Sequence, residues 1–376
     1  MSIYVDVSAA VHRRAGLGRY AESLVGALAT SMRDELALFY NREHGIEPLK
    51  GLPPLPTSTV ALGYKPWRML VWLGQLARIP FNRLLPGAAL FHATEHLLMP
   101  LRGIPTVLTV HDLIFRQLPE HHKPLNRWYL NWTMPLYCRR ADHIIAVSEA
   151  TRQDLIAAYD VLPETITVVH EAASPRFTPQ PAAAQAQARA KYGLPDAYVL
   201  YVGTIEPRKN LERLLAAWAP LYRAGACPPL VVVGKRGWLS EGFFAALEAS
   251  PARDGVILTG YVPDEDLPAI YSAATAFVWP SLYEGFGLPP LEAMASGTPV
   301  ICSDASSMPE VVGDAVLLFD PTSEDALRDA LRRITADAAL RESLRERGKV
   351  RAATFSWSRA ATETMAVYAQ VQARSA

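Results

Sequence analysis

Cysteine is scarce: Cys138, Cys227 and Cys302 are the three in the chain, far apart and without a C-x-x-C pair. That pattern argues against a disulfide scaffold and a cysteine metal site, and it suits a reducing cytosol. Excess charge of either sign is also missing, since Lys plus Arg and Asp plus Glu number 37 each. No global field draws the chain to nucleic acid, so any electrostatic function is local. No run reaches the roughly 18 apolar residues of a membrane span. The start, MSIYVDVSAA, lacks the basic region and long apolar core of a signal peptide. A cytoplasmic protein is the expectation. Acids are absent from residues 48 to 94, which carry Lys50, Lys65, Arg68, Arg78 and Arg83.

What is present is globular composition, 50% hydrophobic and 20% charged over 376 residues, which exceeds one ordinary core and points to two domains. Short Val/Ile/Leu-rich runs alternate with helical stretches, the pattern of parallel sheets covered by helices. Six fall in the first half (2–7, 36–40, 88–94, 106–113, 143–148, 166–172) and six in the second (198–203, 230–234, 255–262, 275–281, 298–304, 315–320). This predicts an α/β chain of two doubly wound, Rossmann-like domains, 1–175 and 190–355, facing across a cleft. The proline- and alanine-rich segment ASPRFTPQPAAAQAQARAKYGLP links them. In such domains ligands bind at the carboxyl ends of strands, so the loops there carry the chemistry.

Four such loops stand out. After the first strand, Gly16 and Gly18 precede an expected helix, where free amides suit a phosphate or a sugar hydroxyl. The string is not G-x-G-x-x-G, which disfavours a dehydrogenase, and a simple flexible turn fits it as well. In LTVHDLIF, His111 closes an apolar strand and can donate a hydrogen bond or move a proton, although a structural histidine would look the same. In YVGTIEPRKNLERLL, Gly203 and Thr204 lead to Arg208 and Lys209 beside a helix that Asn210 is expected to cap. Two cations at a helix N-terminus can neutralise a diphosphate without a metal; a solvated charge pair is the plainer reading. In SLYEGFGLPPLEAMASG, Glu284 lies in a loop and Glu292 early in a helix opened by the Pro-Pro pair. The amides of Phe286, Gly287 and Leu288 between them are expected to meet oxygen acceptors.

Asp264-Glu265-Asp266 superficially suggests a divalent-metal site, but its position before a helix favours capping, so no metal is expected. In the acid-free run, Trp67, Trp72 and Phe81 lie among the cations of residues 61–86. That mixture favours contact with an anionic membrane surface, with a helical hairpin that keeps its aromatics in the core as the alternative.

Together these residues resemble the family-4 retaining glycosyltransferases of the two-Rossmann GT-B fold. Glu284 and Glu292 match the family's E-x7-E signature, EGFGLPPLEAMASGTPVICSD follows its pattern almost throughout, and GTIEPRKN and HDL occur in the expected order. The resemblance covers most of the chain, strongest from Tyr198 to Pro321 and weakest from residue 41 to 100. It implies that Arg208 and Lys209 bind the donor diphosphate, Glu292 the ribose, and Glu284 with the amides of Phe286, Gly287 and Leu288 the transferred sugar. It further implies His111 near the reacting carbon, Gly16 near the phosphate, the base beside Tyr261 and Val262, and helix 356–374 crossing back onto the first domain. The runs HDLIFRQLPEHH and SSMPEVVGDAVLLFDP are similar to bacterial mannosyl- and rhamnosyltransferases of surface polysaccharides. This implies a GDP-sugar donor, GDP-mannose above all, and a lipid-linked saccharide acceptor at the cytoplasmic face of the inner membrane. A UDP-sugar-dependent transferase, a nucleotide-sugar epimerase and a non-catalytic carbohydrate-binding subunit are the rival expectations. Neither nucleic acid nor a metal cofactor is expected.

Overall fold

A computed structural model describes residues 2–43, 49 and 54–375. Of the five cations in the acid-free run, Lys50 lies outside the described residues.

The chain forms two compact units: Met1–Leu113, Leu125–Glu171 and Ser356–Ala376 in the first, Ile114–Pro124 and Ala172–Phe355 in the second. The sequence division at 1–175 and 190–355 puts residues 114–124 in the first domain, whereas they group with the second unit. The first unit is a parallel seven-stranded sheet of β1 (Ser2–Asp6), β2 (Leu36–Asn41), β3 (Thr57–Val60), β4 (Ala88–Ala93), β5 (Thr106–Val110), β6 (His143–Ala146) and β7 (Ile166–Val168). Its order is β3-β2-β1-β4-β5-β6-β7, with every pair parallel. The second unit is a six-stranded sheet of β8 (Val199–Val202), β9 (Leu230–Val233), β10 (Val256–Gly260), β11 (Ala276–Trp279), β12 (Val300–Ser303) and β13 (Leu317–Phe319). Its order is β10-β9-β8-β11-β12-β13, again all parallel.

The twelve expected strands are all present; β3 is the addition. It is a short edge strand, partly exposed, in the proline-rich stretch that precedes Ala61, so it lacks the continuous apolar run that marks a strand buried on both faces. The central strands show that run plainly: β8, β9 and β11 are buried throughout. Crossover helices bury their apolar stripes on the sheets. In Leu211–Arg223, for instance, Leu211, Leu214, Leu215 and Trp218 are interior, at the 3–4 spacing of one helical face. The C-terminal helix Trp357–Ser375 lies in the first unit, where the Tyr368 hydroxyl meets His92 Nδ1 at 2.7 Å.

Each sheet order reverses direction once, between β1 and β4 and between β8 and β11. Loops leaving adjacent strands there diverge to opposite faces and leave a crevice at the carboxyl ends, the place where doubly wound sheets take ligands.

Candidate active site

At the second unit's reversal point, the loop after β8 meets the loop after β11. The Leu282 amide donates to Arg208 O at 2.8 Å and the Ser281 hydroxyl to the same carbonyl at 3.2 Å. Asn210 holds this junction differently from the expected cap. It sits at the N-cap position with φ +61°, and its side chain caps no backbone amide of the helix: Nδ2 donates to the carbonyls of Pro280 at 3.1 Å and Pro321 at 2.9 Å, and Oδ1 accepts from Arg213 Nη1 at 3.2 Å. The two loops bring Arg208, Lys209 and Glu284 into direct contact. Arg208 Nη1 lies 2.9 Å from Glu284 Oε2, Lys209 Nζ donates to Glu284 Oε1, and Arg208 Nε lies 2.7 Å from Glu206 Oε1. The Lys209 ammonium also stands 4.2 Å over the Trp279 ring.

This cluster is buried: Lys209 is 6% exposed, Glu284 7% and Glu206 4%. Burial alone would raise the Glu284 pKa, but the two cations overcome it and hold the carboxyl down at about 2. Lys209 shifts downward, chiefly from burial and then from the like charge of Arg208, with Glu284 and Glu206 only partly offsetting. The two shifts are compatible because Glu284 receives two cations, whereas Lys209 shares one anion with a competing cation. Two formal positives and two formal negatives cancel within the cluster. Glu206 Oε2, moreover, is buried without a hydrogen-bond partner among the described residues.

The 284–288 loop is braced by residues the motif reading did not single out. The Glu284 amide donates to Ser306 Oγ at 2.8 Å, and the Ser307 hydroxyl reaches the carbonyls of Glu284 at 3.0 Å and Phe286 at 3.1 Å. Gly287 sits at φ +102°, and an added Cβ would lie 2.2 Å from Met308 Cε, so glycine is required. Helix Leu288–Ala295 follows, with Pro289 and Pro290 removing two amides from its first turn. The amides of Gly287 and Leu288 therefore stand at its open end, where no i−4 carbonyl exists. Glu292, the fifth residue of this helix, is interior, and Tyr271 donates its hydroxyl to Glu292 Oε2 at 3.1 Å. Gly203, just past β8, lies against Trp279 and Tyr201, whose hydroxyl bonds Thr204 O at 3.1 Å. Beyond β10, Tyr261 is 60% exposed with Lys235 Nζ 4.4 Å from its ring centroid, while Val262 is buried. Asp266 stands at a helix N-cap position, but the capping expectation fails there. Its carboxylate takes Lys191 Nζ at 2.7 Å and the Tyr192 hydroxyl at 2.5 Å.

The first unit carries its own constellation at the reversal between β1 and β4, largely unseen in the motif reading. Asp6 ends β1, accepts the Ser8 amide at 2.8 Å, and has its pKa pushed up to about 7, by burial first and by Glu95 second. Arg14 Nη1 lies 2.7 Å from Glu95 Oε2, and its guanidinium rests 3.2 Å above the Tyr64 ring. Glu95 Oε1 is buried with no hydrogen-bond partner among the described residues. Gly16 and Gly18 lie inside helix Ala15–Met32 rather than before it. A Cβ on Gly18 would come within 3.0 Å of Ala9 O, so this glycine permits close packing, whereas Gly16 faces open space.

His111, just past β5, has both ring nitrogens engaged. Nδ1 lies 3.0 Å from Glu171 Oε1 and Nε2 lies 2.9 Å from Thr94 O, with the Tyr20 ring edge-on at 4.7 Å. A carbonyl and a carboxylate are both acceptors, an arrangement that favours the protonated ring. Burial is the largest influence and lowers its pKa, yet Glu171 and Thr94 together raise it above the ordinary value. The Glu171→Gln variant is therefore expected to drop the His111 pKa below that value, read by NMR titration of the imidazole. An unchanged pKa would contradict the pairing.

Asp6, Arg14, Glu95 and Glu171 escaped the motif reading because their partners are far away in sequence. The one local signal was an acid at the carboxyl end of a buried strand, in YVDVS.

Two family descriptions match the chain: "Glycosyltransferase Family 4" over residues 14–175 and "Glycosyl transferases group 1" over residues 185–351. The O-antigen chain mannosyltransferase B of Escherichia coli is 34% identical over 368 residues, 94% of this chain and 95% of that protein. The serotype-specific mannosyltransferase WbdA of the same organism is 31% identical over 273 residues, 70% of this chain and 33% of its own length. Sucrose-phosphate synthase from Thermosynechococcus elongatus superimposes with a TM-score of 0.81 over 100% of both chains at 24% identity, a likeness of fold. The chain belongs to the family-4 glycosyltransferases of the GT-B fold.

Proposed function

We propose that the protein transfers a mannosyl residue, with retention of configuration, from GDP-mannose to a lipid-linked saccharide during assembly of a surface polysaccharide such as O-antigen. The site of action in this reading is the cytoplasmic face of the inner membrane. The observation that carries the sugar assignment is the likeness to O-antigen chain mannosyltransferase B along nearly the whole of both chains.

In this reading the reversal point of the second unit receives the donor. Arg208 and Lys209 exchange their bonds to Glu284 for the diphosphate, and the released Glu284 turns to the sugar hydroxyls with the amides of Phe286, Gly287 and Leu288. Glu292 holds the ribose, the base lies by Tyr261 and Val262, and Gly203 and Thr204 line the approach. As the bond from sugar to phosphate breaks, negative charge grows on the diphosphate, where the two cations stabilise it. The proton of the attacking hydroxyl passes to a phosphate oxygen. Asp6, Glu95 and Arg14 are assigned to acceptor hydroxyls, which suit the unpartnered Glu95 Oε1. His111, whose nitrogens are committed to Glu171 and Thr94, acts by fixing the loop after β5.

The charge complement for the diphosphate is supplied by side chains, so transfer is expected to persist in excess chelator. Strict dependence on Mg2+ or Mn2+ would overturn that part. The purified protein is to be incubated with GDP-mannose, UDP-glucose or ADP-glucose, with and without lipid-linked saccharide. Acceptor-dependent GDP release with mannosylated product is expected; preference for a UDP-sugar, or epimerised donor without transfer, would contradict the proposal.

A further inference from the structure

We infer that the paired helices Tyr64–Ala77 and Pro124–Arg140 form a docking face for an anionic lipid bilayer. The inference names the surface by which the membrane reading above would be realised, and rests on that reading for its purpose only.

Side chains join the two helices. Arg68 Nη1 donates to Asn126 Oδ1 at 2.9 Å, the Tyr129 hydroxyl reaches Arg68 O at 3.2 Å, the Trp72 and Trp128 rings meet edge-on at 5.7 Å, and Arg140 Nη1 reaches Gln75 Oε1 at 2.6 Å. Their inner faces, including Trp67, Val71, Tyr129, Met134 and Tyr137, are core. Trp67, expected among the membrane-facing aromatics, is thus an interior residue, 1% exposed against Phe39 and Phe81. The outer faces carry other apolar residues. Leu73 is 55% exposed, Leu76 56%, Ile79 57% and Trp132 62%. Met69, Leu70, Leu125 and Trp128 are exposed beside them. Leu70, Leu73 and Leu76 recur every three residues on the first helix, with Ile79 just beyond its end, and Leu125, Trp128 and Trp132 recur at three and four on the second, so each helix carries one apolar stripe. Stripes of this kind on one continuous face are uncommon on a soluble surface that meets only water.

Charge selects the occupant. Helix Tyr64–Ala77 contains Lys65 and Arg68, and helix Pro124–Arg140 contains Arg127, Arg139 and Arg140; neither contains an acid. At their C-terminal ends Arg78, Arg102 and Arg140 line a cavity of about 700 Å³ with Asp142, whose Oδ2 is already taken by the amide and hydroxyl of Thr106. Basic residues rimming exposed Leu, Ile and Trp complement a negative bilayer, with indoles at headgroup depth and aliphatic side chains below them. A second copy of the chain would oppose cation to cation across the same face. Among the described residues no helix is long and apolar enough to cross a membrane.

The test is flotation of the full chain with vesicles of phosphatidylcholine alone or of phosphatidylcholine mixed with phosphatidylglycerol, in the absence of donor. Binding is expected to the mixed vesicles, weakening as salt is raised. The double variant Leu73→Glu/Trp132→Glu, both positions solvent-exposed, should bind about tenfold more weakly or less, with its thermal shift by GDP unchanged. Wild-type protein that stays out of the mixed vesicles at low salt, or a double variant that floats equally well, overturns the inference. Concentration-dependent self-association in sedimentation, lost in the double variant without vesicle binding by the wild type, would assign the face to a second copy and overturn it too. Vesicle binding is read without donor or acceptor, so a wrong sugar assignment leaves this result standing, and failure to bind vesicles leaves the transfer assay standing.

Discussion

The Lys209→Met variant is expected to lose about 10²- to 10³-fold in kcat/KM for sugar transfer, the effect of removing one preorganised charge from a developing oxyanion. Its stability should fall only in part, since Arg208 still faces Glu284 at 2.9 Å. Glu284→Gln should cost more stability, about 3 to 5 kcal/mol, because it strands Lys209 and weakens the environment of Arg208 in a buried site. Joining the two substitutions leaves Arg208 balanced by Glu206, whose Oε1 lies 2.7 Å from its Nε. The double variant should then recover much of the stability lost by Glu284→Gln and none of the activity. Thermal unfolding and steady-state kinetics on the three variants separate the effects; rates that recovered with stability would make the cluster structural. The pH dependence carries the same signature. With the Glu284 pKa lowered from 4.5 to about 2, its contribution is present above pH 4.5 and lost as pH falls toward 2. Acid unfolding of Glu284→Gln should lack that component.

A comparably large loss is expected from Gly234→Ala, far from any motif. Gly234 follows β9 at φ +148°, and an added Cβ would collide with the carbonyl oxygen of Gly203. Backbone must move, and the backbone that moves is the start of the loop carrying Arg208 and Lys209. Steric overpacking of about 1–3 kcal/mol adds to a left-handed strain of similar size. The variant should melt at a clearly lower temperature and show reduced stabilisation by GDP-mannose. A native melting temperature with full donor stabilisation would show that the β8 and β9 loops have slack absent from the structure.

Sequence patterns reached far into the second unit and less far into the first, for a physical reason. The second unit's reversal point is built from two contiguous strings, GTIEPRKN and SLYEGFGLPPLE, each carrying its functional side chains within a few residues of a strand end. Local pattern is then enough to place Arg208, Lys209 and Glu284 in loops, though not to show that all three bond one another. The first unit assembles Asp6, Arg14 and Glu95 from three separate segments, and His111 with Glu171 from strands 60 residues apart. Such pairings exist only after the sheet forms. β3 was missed because an exposed edge strand has no apolar run, and Trp67 was misplaced because helical spacing alone does not say which stripe meets the core. Asn210 and Asp266 occupy N-cap positions, as read, but their side chains serve tertiary partners that local pattern does not contain.

The central claim, mannosyl transfer from GDP-mannose driven by the Arg208–Lys209 charge, is tested most directly by following GDP release and product anomer together. Purified protein, GDP-mannose labelled with 13C at the anomeric carbon and a lipid-linked saccharide acceptor are mixed, and the product is read by its one-bond carbon–proton coupling. The account predicts acceptor-dependent release of GDP and an α-linked mannose that keeps the donor's configuration, both lost in Lys209→Met and in Lys209→Met/Glu284→Gln. An inverted β-linked product, or undiminished transfer by the folded double variant, would contradict it.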